Sequence, residues 1–112
     1  MRYGREVNGI FAPNESTAAG MLLALDNIGL GKGKVKLIGY ANSEVFADAL
    51  RSGELQGLVL QDPVKMGYLG VKHVVQVLRG EKVPERVDTA VVMATKEYVD
   101  QPEVRELIGG GS

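Results

Sequence analysis

Cysteine is absent from the chain, histidine occurs once, and aromatic residues make up only 5% of its 112 positions. Without cysteine there is no disulfide, no thiolate nucleophile and no thiolate metal site. The lone histidine, His73, has no ligand cluster around it, so no metal site is expected, and its mid-helix position predicts a partly buried structural role. Neither sign of charge is in excess: 13 Lys+Arg face 14 Asp+Glu, a net charge of −1. That balance gives no electrostatic reason to expect nucleic acid or an anionic membrane as partner. No apolar run approaches the roughly 18 residues of a membrane span. The first residues, Met1-Arg-Tyr-Gly-Arg-Glu6, lack the apolar core of a signal peptide, so none is expected in this stretch.

Catalytic motifs are missing too. There is no Gly-x-Ser-x-Gly elbow, no acidic cluster at a strand end and no carboxylate pair placed for acid–base work, so an enzyme is not expected, nor a cofactor. Gly29-x-Gly31-x-Gly33 invites a dinucleotide reading, but it follows a helix and precedes a strand, the reverse of the fingerprint. Val35 after Gly33-Lys34 excludes a Walker A end. A polar loop between helix and strand accounts for the glycines. Asn14-Glu15-Ser16 matches a glycosylation sequon, yet a helix cap explains it better.

What is present is a repeated strand-to-helix design. An apolar run at Gly9–Ala12 stops at Pro13, and Asn14 and Ser16 offer acceptors to the first N–H groups of a helix over Glu15–Asn27. Ala18, Met21, Leu22, Leu25 and Ile28 share one face of that helix, and Gly29 stands where a left-handed cap belongs. Val35–Tyr40 reads as the second strand. Asn42 or Ser43 can cap a helix over Glu44–Ser52, which Gly53 ends. Leu55–Leu60 is a third strand, apolar enough to be covered on both faces.

Asp62 and Pro63 have the N-cap and N1 chemistry of a long helix, Pro63–Arg79. Val64, Tyr68, Val71, Val75 and Leu78 form one apolar stripe on it, and Met66, Leu69, His73 and Val77 a second. A helix apolar on two sides is usually covered on two sides. Glu81–Arg86 is a charged connector, Val87–Thr95 contains a fourth strand at Ala90–Ala94, and Asp100 and Pro102 start a last helix through Ile108. The alternation predicts an α/β fold, one parallel sheet of about four β-α units with right-handed crossovers. Residues 1–108 then form one domain, and Gly109–Ser112 has the composition of a flexible linker remnant.

In such sheets ligands bind beyond the carboxyl ends of the strands. The side chains expected there are Asn14, Asn42, Ser43 and Gln61, with Asp62 beside the last. Amides donate and accept together, as hydroxyl-rich ligands do. Helix capping alone would also put three of them at these turns.

The residue blocks also resemble a known family. Val7-Asn-Gly-Ile-Phe-Ala-Pro-Asn-Glu-Ser-Thr-Ala-Ala-Gly-Met-Leu-Leu-Ala-Leu25 is similar to a stretch of the ribose-type periplasmic sugar-binding proteins. Lys36–Tyr40 with Phe46–Leu55 resembles the next strand and helix, and Gly57–Pro63 with Met66-Gly-Tyr68 and Val77–Pro84 the family's final segment. The resemblance implies a flavodoxin-like lobe, here an incomplete C-terminal one, from a protein whose two lobes close over a monosaccharide for an ABC importer permease. It implies a periplasmic or other extracytoplasmic parent. By position, Asn14 and Gln61 match sugar-contacting amides, and the chain's crossing between lobes falls near 61–63. Where the family has Gly-Phe-Asp, this chain has Gly39-Tyr40-Ala41, and neighbouring Asn42 is the candidate substitute for the acid.

Three hydrogen bonds from Asn14, Asn42 and Gln61, at roughly 0.5–1.5 kcal/mol each, sum to at most about 4.5 kcal/mol, near a millimolar complex. Little or no sugar affinity is therefore expected of the chain alone. The Pro63–Arg79 helix is expected to drive self-association. Two other readings share the same lobe pattern: the effector-binding core of a LacI-type repressor, and an engineered α/β scaffold without ligand.

Overall fold

Asn14 stops one element and starts the next. Its Oδ1 accepts from the Thr17 N–H at 3.0 Å and from the Ser16 hydroxyl at 2.9 Å, while its own backbone is extended. The strand β1 (Gly9–Phe11) thus ends three residues before the cap and the helix α1 (Glu15–Asn27) begins one after it. At the far end of α1, Gly29 has φ 69°, its N–H reaches the Asp26 carbonyl, and the Leu30 N–H reaches that of Leu25. That pair of bonds satisfies the last turn's carbonyls and needs a left-handed residue at its centre.

The computed structural model describes residues 3–109. After α1 come β2 (Lys36–Tyr40), α2 (Glu44–Ser52), β3 (Gly57–Leu60), α3 (Pro63–Leu78), β4 (Val92–Ala94) and α4 (Pro102–Gly109). The helix spans follow the capping chemistry closely. Gly109 closes α4, so the last helix runs one residue further than the sequence pattern suggests. The rest of the linker reading, residues 110–112, lies outside the described residues, as do residues 1 and 2.

The four strands lie in chain order, β1-β2-β3-β4, with β1, β2 and β3 parallel. β4 departs from the expected all-parallel arrangement: it runs antiparallel to β3, with Leu60 opposite Val92 and Leu58 opposite Ala94. The reason lies in α3, which leaves the sheet instead of folding back across it. The connector after it re-enters at the edge the chain left, and that fixes an antiparallel strand. Ala90, at φ 61°, turns the chain into β4 while its N–H bonds the Asp88 carboxylate at 2.8 Å.

The two sheet faces differ. Leu37, Leu58 and Leu60 are fully buried with Leu25, Phe46, Ala47 and Leu50 of α1 and α2, and Val104 and Ile108 of α4 join the same core. A Cβ at Gly39 would meet Ala18 at 3.4 Å, so the absence of a side chain there lets α1 lie close on β2. On the opposite face Phe11 and Met93 are exposed, and Ile38 and Val59 half-buried. Ile28, placed by spacing on the buried face of α1, is exposed at its cap.

Neither apolar stripe of α3 is buried. Val64, Tyr68, Val71, Val74, Val77 and Leu78 are all more than half exposed; Leu69 and His73 are half-buried. Asp62 caps α3 as its chemistry suggests, accepting from the Lys65 N–H at 2.9 Å.

Candidate functional site

The turns after β1, β2 and β3 open at one end of the sheet, the carboxyl ends of the parallel strands. There an open depression of about 570 Å³ is lined by Pro13, Asn14, Glu15, Tyr40, Ala41, Asn42, Gln61 and Pro63. The fold therefore brings Asn14, Asn42 and Gln61, three turns apart in the sequence, to a single surface.

Their side chains are not equally free. Asn14 has its Oδ1 engaged by the cap, leaving its Nδ2 without an acceptor among the described residues. Asn42 is engaged at both ends. Its Nδ2 donates to the Gln61 carbonyl at 2.7 Å and the Leu107 carbonyl at 3.1 Å, and its Oδ1 accepts from the Gln61 N–H at 3.2 Å. The side-chain amide of Gln61 makes no hydrogen bond to a described residue, although its backbone is held on both sides.

Ser43 occupies the N-cap position of α2 but makes no side-chain cap bond, and its Oγ is buried without a partner among the described residues. Neither Asn42 nor Ser43 caps α2 through its side chain. Ala41, which stands where the resemblance places an acid in the ribose-type proteins, is buried at 5% exposure.

Tyr40 lines the depression and was not singled out by residue type. The available signal was positional: it is the last residue of β2 and shares the alternation of Ile38, which puts both on the open sheet face. Among the described residues there is no group of His, Cys, Asp or Glu able to hold a metal ion, and no helix is long and apolar enough to cross a membrane.

This geometry is amide-rich, acid-poor and open on one side, on an α/β lobe whose strand-end turns form one surface. The chain matches the periplasmic binding protein domain over residues 1–82 and belongs to that family. It is 32% identical over 82 residues to the ribose import binding protein RbsB of Haemophilus influenzae, covering 73% of this chain and 27% of that protein. Among solved structures it is similar to a carbohydrate transporter solute binding protein from Agrobacterium radiobacter in complex with D-arabinose, with 40% identity and a TM-score of 0.80. That match covers 90% of this chain and 34% of the other. A protein from Brachyspira murdochii described as an ABC transporter, LacI family transcriptional regulator, is also similar, at 27% identity and a TM-score of 0.76, covering 94% of this chain and 36% of that one. The chain thus spans about a third or less of these relatives. It is a ribose-binding-type member of the family with an α/β fold.

Proposed function

We propose that this chain is part of the C-terminal lobe of a monosaccharide-binding protein that serves an ABC importer, with its sugar-facing groups on the depression at the strand ends. The observation that carries this reading is the convergence of Asn14 and Gln61 there, the first with its Nδ2 and the second with its whole side-chain amide unpartnered among the described residues. The parent is periplasmic or extracytoplasmic and hands its sugar to a permease. Its function is binding, with no bond made or broken. The chain crosses to the other lobe at residues 61–63, and α3 is the arm that reaches it.

The same accounting limits what the chain does by itself. With Asn42 engaged, the Asn14 Nδ2 and the Gln61 amide supply at most about 3 kcal/mol between them. A millimolar complex needs about 4.1 kcal/mol. No opposing surface among the described residues excludes water from the depression, so orientation and desolvation costs act in full. Calorimetry with D-ribose, D-xylose, D-glucose, D-galactose and D-arabinose is expected to give no constant tighter than millimolar. A micromolar constant would show that the site is complete as it stands. At high sugar concentration the side-chain amide resonances of Asn14 and Gln61 are expected to shift together, and a sugar that shifts neither speaks against the ligand class.

A second reading, the effector core of a LacI-type regulator, draws on the similarity to the Brachyspira murdochii protein. The coding sequence upstream separates the two: a signal peptide supports import, and a helix-turn-helix supports regulation.

A further inference from the structure

We infer that Asn42 is a positioning residue, not a ligand: it holds the backbone N–H and carbonyl of Gln61 so that the Gln61 side chain and the start of α3 are held at the mouth of the depression. This rests on the sugar-binding reading only for the purpose it gives to Gln61. The geometry stands by itself.

Backbone pairing between β2 and β3 ends at the bond from the Ala41 N–H to the Val59 carbonyl, 3.3 Å. Beyond it β2 turns away towards α2, and the backbone N–H and carbonyl of Gln61, the next residue after Val59 to face that side, have no strand to pair with. The Asn42 side chain takes the place of one. A side-chain amide carries the same donor and acceptor as a peptide unit. Here the acceptor meets the Gln61 N–H at 3.2 Å and the donor meets the Gln61 carbonyl at 2.7 Å. The second amide hydrogen reaches the Leu107 carbonyl near the end of α4, at 3.1 Å, so the clasp is tied to a third element.

At the opposite end of the same two strands Gln56 does the matching work. Its Oε1 accepts from the Leu37 N–H at 2.7 Å and its Nε2 donates to the Gly53 carbonyl at 2.8 Å. Gln61 lies two residues before Pro63, the first residue of α3, and one before its cap, Asp62. Holding the peptide groups on both sides of Gln61 therefore sets both the direction of its side chain and the take-off of the helix. An isosteric carboxylate cannot replace the amide: Asp at this position keeps the acceptor but turns an oxygen towards two carbonyls.

The test is hydrogen exchange and amide NMR on the whole chain. In the unaltered protein the Gln61 N–H is expected to be protected, and the Asn42 side-chain hydrogens to resonate as a slowly exchanging pair. In Asn42→Asp and Asn42→Ala the Gln61 N–H is expected to exchange about tenfold faster or more, the factor that corresponds to about 1.4 kcal/mol. The Ala12 N–H, bonded to the Ile38 carbonyl, serves as the control and is expected to keep its rate. Adding D-arabinose or D-ribose is expected to move the Gln61 side-chain resonances and leave those of the Asn42 amide in place. Equal protection of Gln61 in all three proteins overturns the inference, as does an Asn42 amide that shifts with sugar. If neither variant folds, fast exchange of the Asn42 side-chain hydrogens in the unaltered protein overturns it and slow exchange supports it. A sugar that moves no resonance at all counts against the sugar-binding reading, while the exchange rates still decide the role of Asn42.

Discussion

Asn14 divides its side chain between folding and surface. The oxygen closes the first turn of α1, with Thr17 and Ser16 both bonded to it, and the nitrogen has no acceptor among the described residues. Replacing Asn14 by Ala removes an N-cap and is expected to lower unfolding free energy by about 1 kcal/mol, whereas Asn14→Ser retains a capping oxygen and is expected to stay within a few tenths of the parent. Urea denaturation followed by circular dichroism measures both. The residues that could be placed from sequence were those whose neighbours along the chain explain them: Asn14 and Asp62 sit directly before helices whose N–H groups they accept. Asn42 was legible as a position and not as a role, because its partner Gln61 lies 19 residues away across the ladder. Tyr40 was hidden for a related reason. Nothing in its immediate neighbours distinguishes the last residue of a strand that lines a surface from one that merely ends it.

Elements bounded by glycine, proline and capping side chains came out nearly residue for residue, as with Glu15–Asn27 and Glu44–Ser52. The direction of β4 did not. A three-residue strand carries no directional pattern, and its orientation depends on where α3 leaves the chain, which is decided in three dimensions. The joint between α2 and α4 is equally non-local. Arg51 reaches Asp100 at 2.8 Å and also Glu44 and Asp48 on its own helix, and Arg105 approaches Asp100 from α4. The hydrogen bond from Arg51 is the main reason that the Asp100 carboxyl lies below the ordinary aspartate range. A depressed carboxyl favours the folded state above its unfolded value of about 3.9 and loses that contribution as pH falls through the lower folded value. Asp100→Asn is therefore expected to be less stable than the parent near about pH 7, with the gap narrowing as pH falls below about 3.9. Urea midpoints on either side of that value check this, and a gap unchanged at low pH counts against the assignment. The pair is exposed, so the effect is expected to be small and weakened by salt.

At the scale of the whole molecule, the chain is longer than its residue count requires. Its radius of gyration is 17.3 Å and its extents are 57 × 33 × 19 Å, where a compact chain of this size has a radius near about 13 Å. The excess comes with a helix, α3, that buries no residue. Its two apolar stripes were readable from spacing, and so was the want of a partner for one of them; that the sheet covers neither was not. Two glutamates on one stripe, Val71→Glu with Val75→Glu, are expected to leave unfolding free energy within about 0.5 kcal/mol, since exposed positions carry little of it. The same pair is expected to weaken self-association about tenfold or more. Sedimentation velocity measures the second effect, and a parent protein that stays monomeric at high concentration removes the basis for it.

The order of the sheet has a further consequence, for how quickly the chain finds it. Because β1, β2, β3 and β4 neighbour one another in the order of synthesis, every pairing joins a strand to the one made just before it. The connections before β2, β3 and β4 hold 24, 16 and 31 residues, so β2 and β3 close the shorter loops and β4 waits for α3 and its connector. The sheet can therefore assemble from its N-terminal edge as the chain emerges, with α1 and α2 docking in turn, while α3 forms independently of the core it never joins.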